Sequence, residues 1–410
     1  MTNKHLAAIL AFATITGCSS PPQYAVGDIE FSGPSHSGEP HLVATEDGRA
    51  LLTWLEKVEG RTHALKMAER VNGVWSEPKL VVEGDRFFVN WADFPSILEL
   101  ADGRWIVHWL EKSSQATYAY HVKLAVSGDR GETWSDPFSP HRDVSPTEHG
   151  FVSLVPWAGG AAVIWLDGRQ MDERYTRSED VGSGGAGDRG AMSIRFTTLS
   201  ADGSLGEDAL IDGRACECCA TALTAATSGL VAAYRDRSDA EIRDVAVVRL
   251  VDGSWTEPRH VGSDNWYYPG CPVNGPQLSA AGDTVVVAWF SAPEQRPRVQ
   301  VAFSTDGGAT FGEPLRVDDG RPRGRVDIEF LPDGAAMVIW LELTEEGAEI
   351  RGRRVVSSGV MDDSWPIAQT TEARASGFPR MARVGDELLF AWTLVGDDGG
   401  IRVAAARRGD

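Results

Sequence analysis

Seven times along this chain a short apolar strand meets a small Gly/Asp turn and returns as a second strand ending in Trp or Tyr. The closing aromatics are Trp54, Trp109, Trp165, Tyr234, Trp289, Trp340 and Trp392, spaced 51 to 69 residues apart. A unit of that length holds one four-stranded antiparallel sheet, and repetition of such units builds a β-propeller. Turns such as Glu46-Asp47-Gly48, Asp333-Gly334 and Gly385-Asp386 supply the positive φ of tight hairpins. A second hairpin follows in the first six repeats, its tips ending at Trp75, Trp134, Leu205, Trp255, Phe311 and Trp365. The seventh repeat is a strand short, and Tyr24 to Phe31, ahead of the first repeat, is free to complete it. The expected fold is all-β: seven four-stranded blades, with six as the alternative, closed by an N-terminal strand.

Residues 1–17 read as a targeting segment. Lys4 and His5 precede an apolar run from Leu6 to Ile15 that is too short to span a bilayer. Ile15-Thr16-Gly17-Cys18 follows and resembles the lipobox of bacterial lipoproteins. The resemblance implies cleavage before Cys18, lipidation of that cysteine, a tether over 18–25 and a propeller over 26–410. Serine after the cysteine implies the outer membrane. The expected location is the cell envelope, with the lipid as the only membrane contact. A net charge of −20 argues against nucleic acid as a partner. A monomer is expected.

Two of the second-hairpin turns, Ser127 to Trp134 and Ser304 to Phe311, share the pattern S-x-D-x-G-x-T-W/F. They resemble the Asp-box (BNR) signature of the sialidase superfamily, whose members have six blades. The resemblance implies a sialidase-like propeller with these boxes on the face opposite the active site. It also implies three arginines clamping a carboxylate, a tyrosine nucleophile activated by glutamate and an aspartate as acid/base, the equipment of an exo-α-sialidase-like glycoside hydrolase. Arg235, Arg325 and Arg380 are candidates for the clamp, Asp93 for the acid/base, and Tyr267 or Tyr268 for the nucleophile. The family's first-blade Arg-Ile-Pro is replaced here by Ser37-Gly38-Glu39-Pro40.

Each innermost strand should begin on the face away from the Asp boxes. Aligning these strands on their Pro-x-apolar pattern places His41, Ser96, Ser153, Ala222, Gln277, Asp327 and Arg380 at one level, with Glu39 and Arg325 two residues earlier. His41, Glu39, Gln277, Asp327, Arg325 and Arg380 are therefore expected around the channel mouth. One step further out come Asp93, His149, Cys218, Cys219 and Asn274. A glycan or small acidic ligand suits such a mouth, and a water-filled polar channel is the plain alternative. The one long insertion, Gly168 to Gly190, reads as a lid, a binding loop or a disordered segment.

Beyond Cys18 the cysteines are Cys216, Cys218 and Cys219, in Cys-Glu-Cys-Cys at the start of the fourth blade, and Cys271 at the start of the fifth. Outside the cytoplasm four cysteines suggest two disulfides. Only Cys216–Cys219 with Cys218–Cys271 avoids a bridge between adjacent residues or across Cys-x-Cys. The rival reading is a soft-metal centre for Cu or Zn with His149 as a further ligand; a redox role is the third. The functional expectation is glycan or acidic-sugar recognition by an envelope lipoprotein, with glycoside hydrolysis open. A metal or redox centre and a non-catalytic protein-binding scaffold are the alternatives.

Overall fold

Every repeat folds into its own sheet because its turns are local and its strands are short. In the computed structural model, which describes residues 24–31, 33–171, 190–396 and 399–409, the strands form seven antiparallel sheets. The leader, Cys18 and most of the Gly168–Gly190 insertion lie outside the described residues. Blade 3 shows the pattern: His149–Trp157, Gly160–Asp167, Met192–Leu199 and Ala209–Ala215 follow one another from the axis outward. In blade 2 the outer strand shrinks to a single bridge between Leu124 and Phe138. The blade count is seven, as the hairpins predict, and not the alternative six.

The first strands touch one another in a closed circuit. Ser37–Ala44 of blade 1 lies against both Ser96–Glu99 of blade 2 and Arg380–Val384 of blade 7. Both faces of each blade are covered by neighbours, so the second strands are apolar without alternation; Ala161 to Leu166 are all buried. Trp54, Trp165, Trp289 and Trp340 fill these inter-blade layers with no more than 1% exposure.

The N-terminal strand Tyr24–Asp28 pairs antiparallel with the C-terminal strand, from Tyr24 opposite Arg408 to Asp28 opposite Ala404. It supplies the outer strand of blade 7 and removes the open edge. Tyr24 also stacks on Trp365 of blade 6, with ring centroids 5.0 Å apart. The two S-x-D-x-G-x-T turns have the same internal bonds. Thr133 N–H and Oγ1 donate to Asp129 at 2.9 and 2.6 Å, and Thr310 repeats both bonds to Asp306 at 2.9 and 2.6 Å. Those bonds hold both carboxyls down to about 2. Their glycines, Gly131 and Gly308, sit at φ 80° and 81°.

If closure carries stability, Tyr24→Ala lowers the unfolding free energy by about 3 kcal/mol in urea titration. Val144→Ala, at a residue 85% exposed, is the control and changes little. Equal midpoints for the two variants would show that the closing strand contributes nothing measurable.

Candidate functional site

The first strands of blades 1, 3 and 6 begin with a bulge. Strand pairing slips between Gly38 and His41, Gly150 and Ser153, and Gly324 and Asp327. The residue after each glycine, Glu39, Phe151 or Arg325, takes a left-handed φ of 53°, 52° or 55°. A bulge frees one N–H from its own sheet. In two of these blades the preceding blade captures it. Phe151 N–H donates to both oxygens of Asp93 at 2.9 Å, and Arg325 N–H donates to Asn274 Oδ1 at 2.8 Å. Glycine is needed at 150 and 324 because a Cβ there would lie 2.1 Å from Asp93 Oδ2 and 2.2 Å from Asn274 Oδ1. Asp93 and Asn274 therefore tie neighbouring blades together, and Asp327 does the same by accepting Met381 N–H at 2.8 Å. Burial pushes the Asp93 carboxyl up to about 7 against the pull of the Phe151 N–H.

His41, Ser96, Ser153, Ala222, Gln277, Asp327 and Arg380 line one axial cavity of about 180 Å³. Arg380 lies over the Phe94 ring, 5.2 Å from its centroid, with Nε 3.4 Å from Asp327 Oδ2. Its Nη1 is buried with no hydrogen-bond partner among the described residues. Burial, and then the Arg380 charge, hold His41 well below its ordinary value, so it is neutral there. Burial pushes Glu39 up to about 7. Deeper in the channel, burial and the nearby Asp327 push Glu329 up to about 8. The channel thus offers one guanidinium beside a carboxylate, a nearly balanced pair.

The expected three-arginine clamp does not form. Arg235 is 1% exposed and gives its donors to main-chain carbonyls. Nε and Nη2 reach Asn274 O at 2.9 and 2.8 Å, Nη1 reaches Arg243 O at 2.6 Å, and Nη2 reaches Phe290 O at 2.6 Å. The guanidinium stacks on Trp266. Arg325 is spent in the same way: Nη1 donates to Ala373 O and Gly377 O at 3.1 Å, and Nη2 to Glu372 O at 3.2 Å, above the Trp91 ring. Both are struts between blades. An arginine with most of its five donors committed to main-chain carbonyls is poorly placed to clamp a ligand.

Off the axis, the charged run after Tyr234 folds inward. Arg237 and Arg243 both bind Glu217 and Glu241, with Arg243 at 2.7 Å from each carboxylate. Glu217 is the second residue of Cys-Glu-Cys-Cys, so this network pins the loop that carries the thiols. Cys216 Sγ lies 3.3 Å from Cys219 Sγ and 4.0 Å from Cys218 Sγ. Cys271, from the neighbouring blade, lines the same pocket as Cys218 and lies close enough to help raise its thiol. All four are free thiols, and the expected disulfides are absent; 3.3 Å is a contact, well beyond the roughly 2.05 Å of an S–S bond. Burial pushes Cys216 up to about 11 and raises Cys218 well above its ordinary value. Burial opposes ionisation of Cys219 too, but bonds from Cys216 and Cys218, the Arg235 charge and the Asn274 N–H outweigh it.

Cys218 and Cys271 open into a pocket of about 630 Å³ that also presents Glu148, Tyr118, Tyr268, Trp91 and Arg374. Tyr268 is in this pocket, whereas Tyr267, 63% exposed, is not among the residues that line it. Burial pushes Glu148 up to about 8 although Tyr120 O–H donates to it at 2.6 Å. Glu148, Tyr118 and Arg374 carry no motif; the only cue was that Glu148 directly precedes His149 and the Gly150 bulge. His149 does not join the cysteines. Its Nε2 lies 3.0 Å from Asp143 and its ring stacks on His141. The side chain is drawn to blade 2 because its Nδ1 bonds the Tyr120 and Thr147 carbonyls.

Neither a family model nor a curated relative matches the chain by sequence. Among solved structures it is similar to the polysaccharide lyase Uly1, with 7% identity, 91% of this chain and 90% of that chain covered, and a TM-score of 0.54. It is also similar to a protein of unknown function from Dyadobacter fermentans, with 14% identity, 95% and 100% covered, and a TM-score of 0.52. The intramolecular trans-sialidase of Ruminococcus gnavus aligns at 12% identity over 92% and 95%, with a TM-score of 0.47. The chain is a seven-bladed β-propeller in architecture. At these identities the likeness is one of fold alone.

Two outcomes follow from this geometry. Asn274→Ala strands the buried Arg325 N–H and costs about 2 kcal/mol in urea unfolding; a change below about 0.5 kcal/mol would show that the inter-blade tie is idle. Glu148, raised from 4.5 to about 8, holds its proton more tightly in the folded state. Its stabilising contribution is complete below its ordinary value and disappears as pH rises through about 8. Melting temperature should therefore fall from pH 6 to pH 9, and Glu148→Gln should recover on the order of 2 kcal/mol at the alkaline end. An unchanged pH profile in the variant would refute the assignment.

Proposed function

We propose that this sialidase-like propeller, held at the cell envelope through Cys18, carries a thiolate centre for a soft d10 cation, Cu(I) or Zn(II), on the floor of the pocket over blades 4 and 5. The clustering of Cys216, Cys218 and Cys219, with Cys271 of the next blade facing the same pocket as Cys218, carries this reading. Thiolate is the protein ligand that selects these ions, and a bound cation deprotonates the thiols it meets. The surroundings suit that change: Arg235 lies close enough to Cys219, and Arg243 to Cys216, to favour the charged form of each thiol. Without a cation, several adjacent thiolates would repel one another.

Glycan recognition in the same pocket is the second reading. Glu148 favours it, as a carboxyl that keeps its proton near neutral pH beside Tyr118, Tyr268 and Trp91. Such an acid donates a hydrogen bond or a proton to a sugar oxygen, and the aromatic rings offer faces for stacking. Arg374 supplies a cation for an acidic sugar.

Metal analysis of anaerobically purified full-length protein tests the first reading. One thiolate-bound Cu(I) or Zn(II) per chain is expected, with affinity at the thiols reduced at least about tenfold by Cys218→Ser. Four freely titrating thiols and no metal uptake on reconstitution would overturn it. Turnover of a fluorogenic sialoside, or glycan binding lost in Glu148→Gln, would then move the assignment to the second reading.

A further inference from the structure

Three histidines from segments the thiol centre does not use meet between blades 2 and 3. His121 lies on the third strand of blade 2, Tyr120–Ser127, and His149 begins the first strand of blade 3. His141 comes from the segment that crosses between these blades. Their ring centroids are 4.2 to 5.1 Å apart, and one ring nitrogen from each falls within 4.8 Å of the other two. Asp143, His149 and Asp167 form an overlapping group of the same compactness.

The hydrogen bonds decide which nitrogens are available. His141 Nδ1 faces the Asp143 carbonyl at 2.8 Å, and a carbonyl only accepts, so the proton is on Nδ1. Its Nε2 is left with a bare lone pair, buried and without a partner among the described residues, in a side chain 5% exposed. His149 Nδ1 likewise faces two carbonyls, Tyr120 O at 3.2 Å and Thr147 O at 3.3 Å. Its Nε2 then meets carboxylate oxygens of Asp143 at 3.0 Å and Asp167 at 3.7 Å. His121 Nδ1 is also buried with no partner. Imidazoles that give one N–H to a main-chain carbonyl and turn the other nitrogen inward have the orientation of metal ligands fixed by their surroundings. Asp167 is already held by Arg169 and by Trp165 Nε1 at 2.8 Å. Among the described residues the Asp143 side chain accepts only from the Ser145 hydroxyl besides facing His149, which makes Asp143 the carboxylate better placed to complete a set.

We propose that His121, His141, His149 and Asp143 form a second cation site, for a borderline divalent ion of the Zn(II), Co(II) or Ni(II) kind. Three imidazoles and one carboxylate suit such ions and suit Cu(I) poorly, so Cu(I) would distinguish the thiol centre from this site. A cation would pair the stranded lone pair of His141, give the partnerless His121 ring a ligand role and separate His149 from its carboxylates. The competing arrangement is a protonated His149 bridging Asp143 and Asp167, which leaves His121 and His141 unsatisfied.

Titrating the full-length protein with Co(II) and recording proton NMR separates the two. Metal at this site gives exchangeable, paramagnetically shifted imidazole N–H signals from His141 and His149, whose N–H groups are shielded by their carbonyls. Thiolate ligation gives near-ultraviolet charge-transfer bands instead, so failure of either site is visible independently of the other. In His141→Gln the shifted N–H signals should vanish while any thiolate bands persist. If that variant does not fold, the wild-type spectrum decides: shifted imidazole N–H signals support the site, and their absence at saturating Co(II) overturns it. Retention of those signals in a folded His141→Gln would also overturn it.

Discussion

The pairing of Tyr24–Asp28 with Ala404–Arg408 joins the two ends of the chain, and the remaining geometry depends on it. Each blade presents two apolar faces and cannot bury both without a neighbour on either side. In an open row the terminal sheets would expose the layer now filled by Trp54, Leu389 and Ala391. Closure also brings Ser37–Ala44 against Arg380–Val384, which places His41 and Arg380 in the same cavity although they are far apart in sequence.

A second constraint operates on the upper face. Bulged strand starts leave main-chain N–H groups and carbonyls unpaired inside the ring, and burial makes them costly unless a side chain reaches them. Asp93, Asn274 and Asp327 supply acceptors, while Arg235 and Arg325 supply donors. The polar residues nearest the axis are therefore largely occupied in holding blades together. Chemistry that needs unspent groups lies further out, over blades 2 to 5, where the thiols, Glu148 and the histidine cluster gather.

The ion-pair network beneath the thiols links the two levels. Glu217 is gripped by Arg237 and Arg243 and fixes the loop between Cys216 and Cys218, so the sulfurs meet without a covalent bridge. A buried network of this kind does little for net stability but strongly favours one arrangement of its loop. The same short region therefore carries both the rigidity and the reactive atoms.

Much of the architecture was legible in the residues alone. Turn chemistry and strand period are local properties, so Gly/Asp turns and closing aromatics determined the seven blades, the missing strand and the level at which His41, Ser96 and Arg380 meet. The proximity of Cys218 to Cys271 followed from their place at the starts of adjacent blades. What a polar side chain finds opposite it was not legible. Arg235 answers to Asn274 and Phe290, Asp93 to Phe151, and His149 to Tyr120 and Asp143, each partner set by how separate segments dock. Periodicity says which way a side chain points; only the packed neighbours decide whether its donors and lone pairs are already taken.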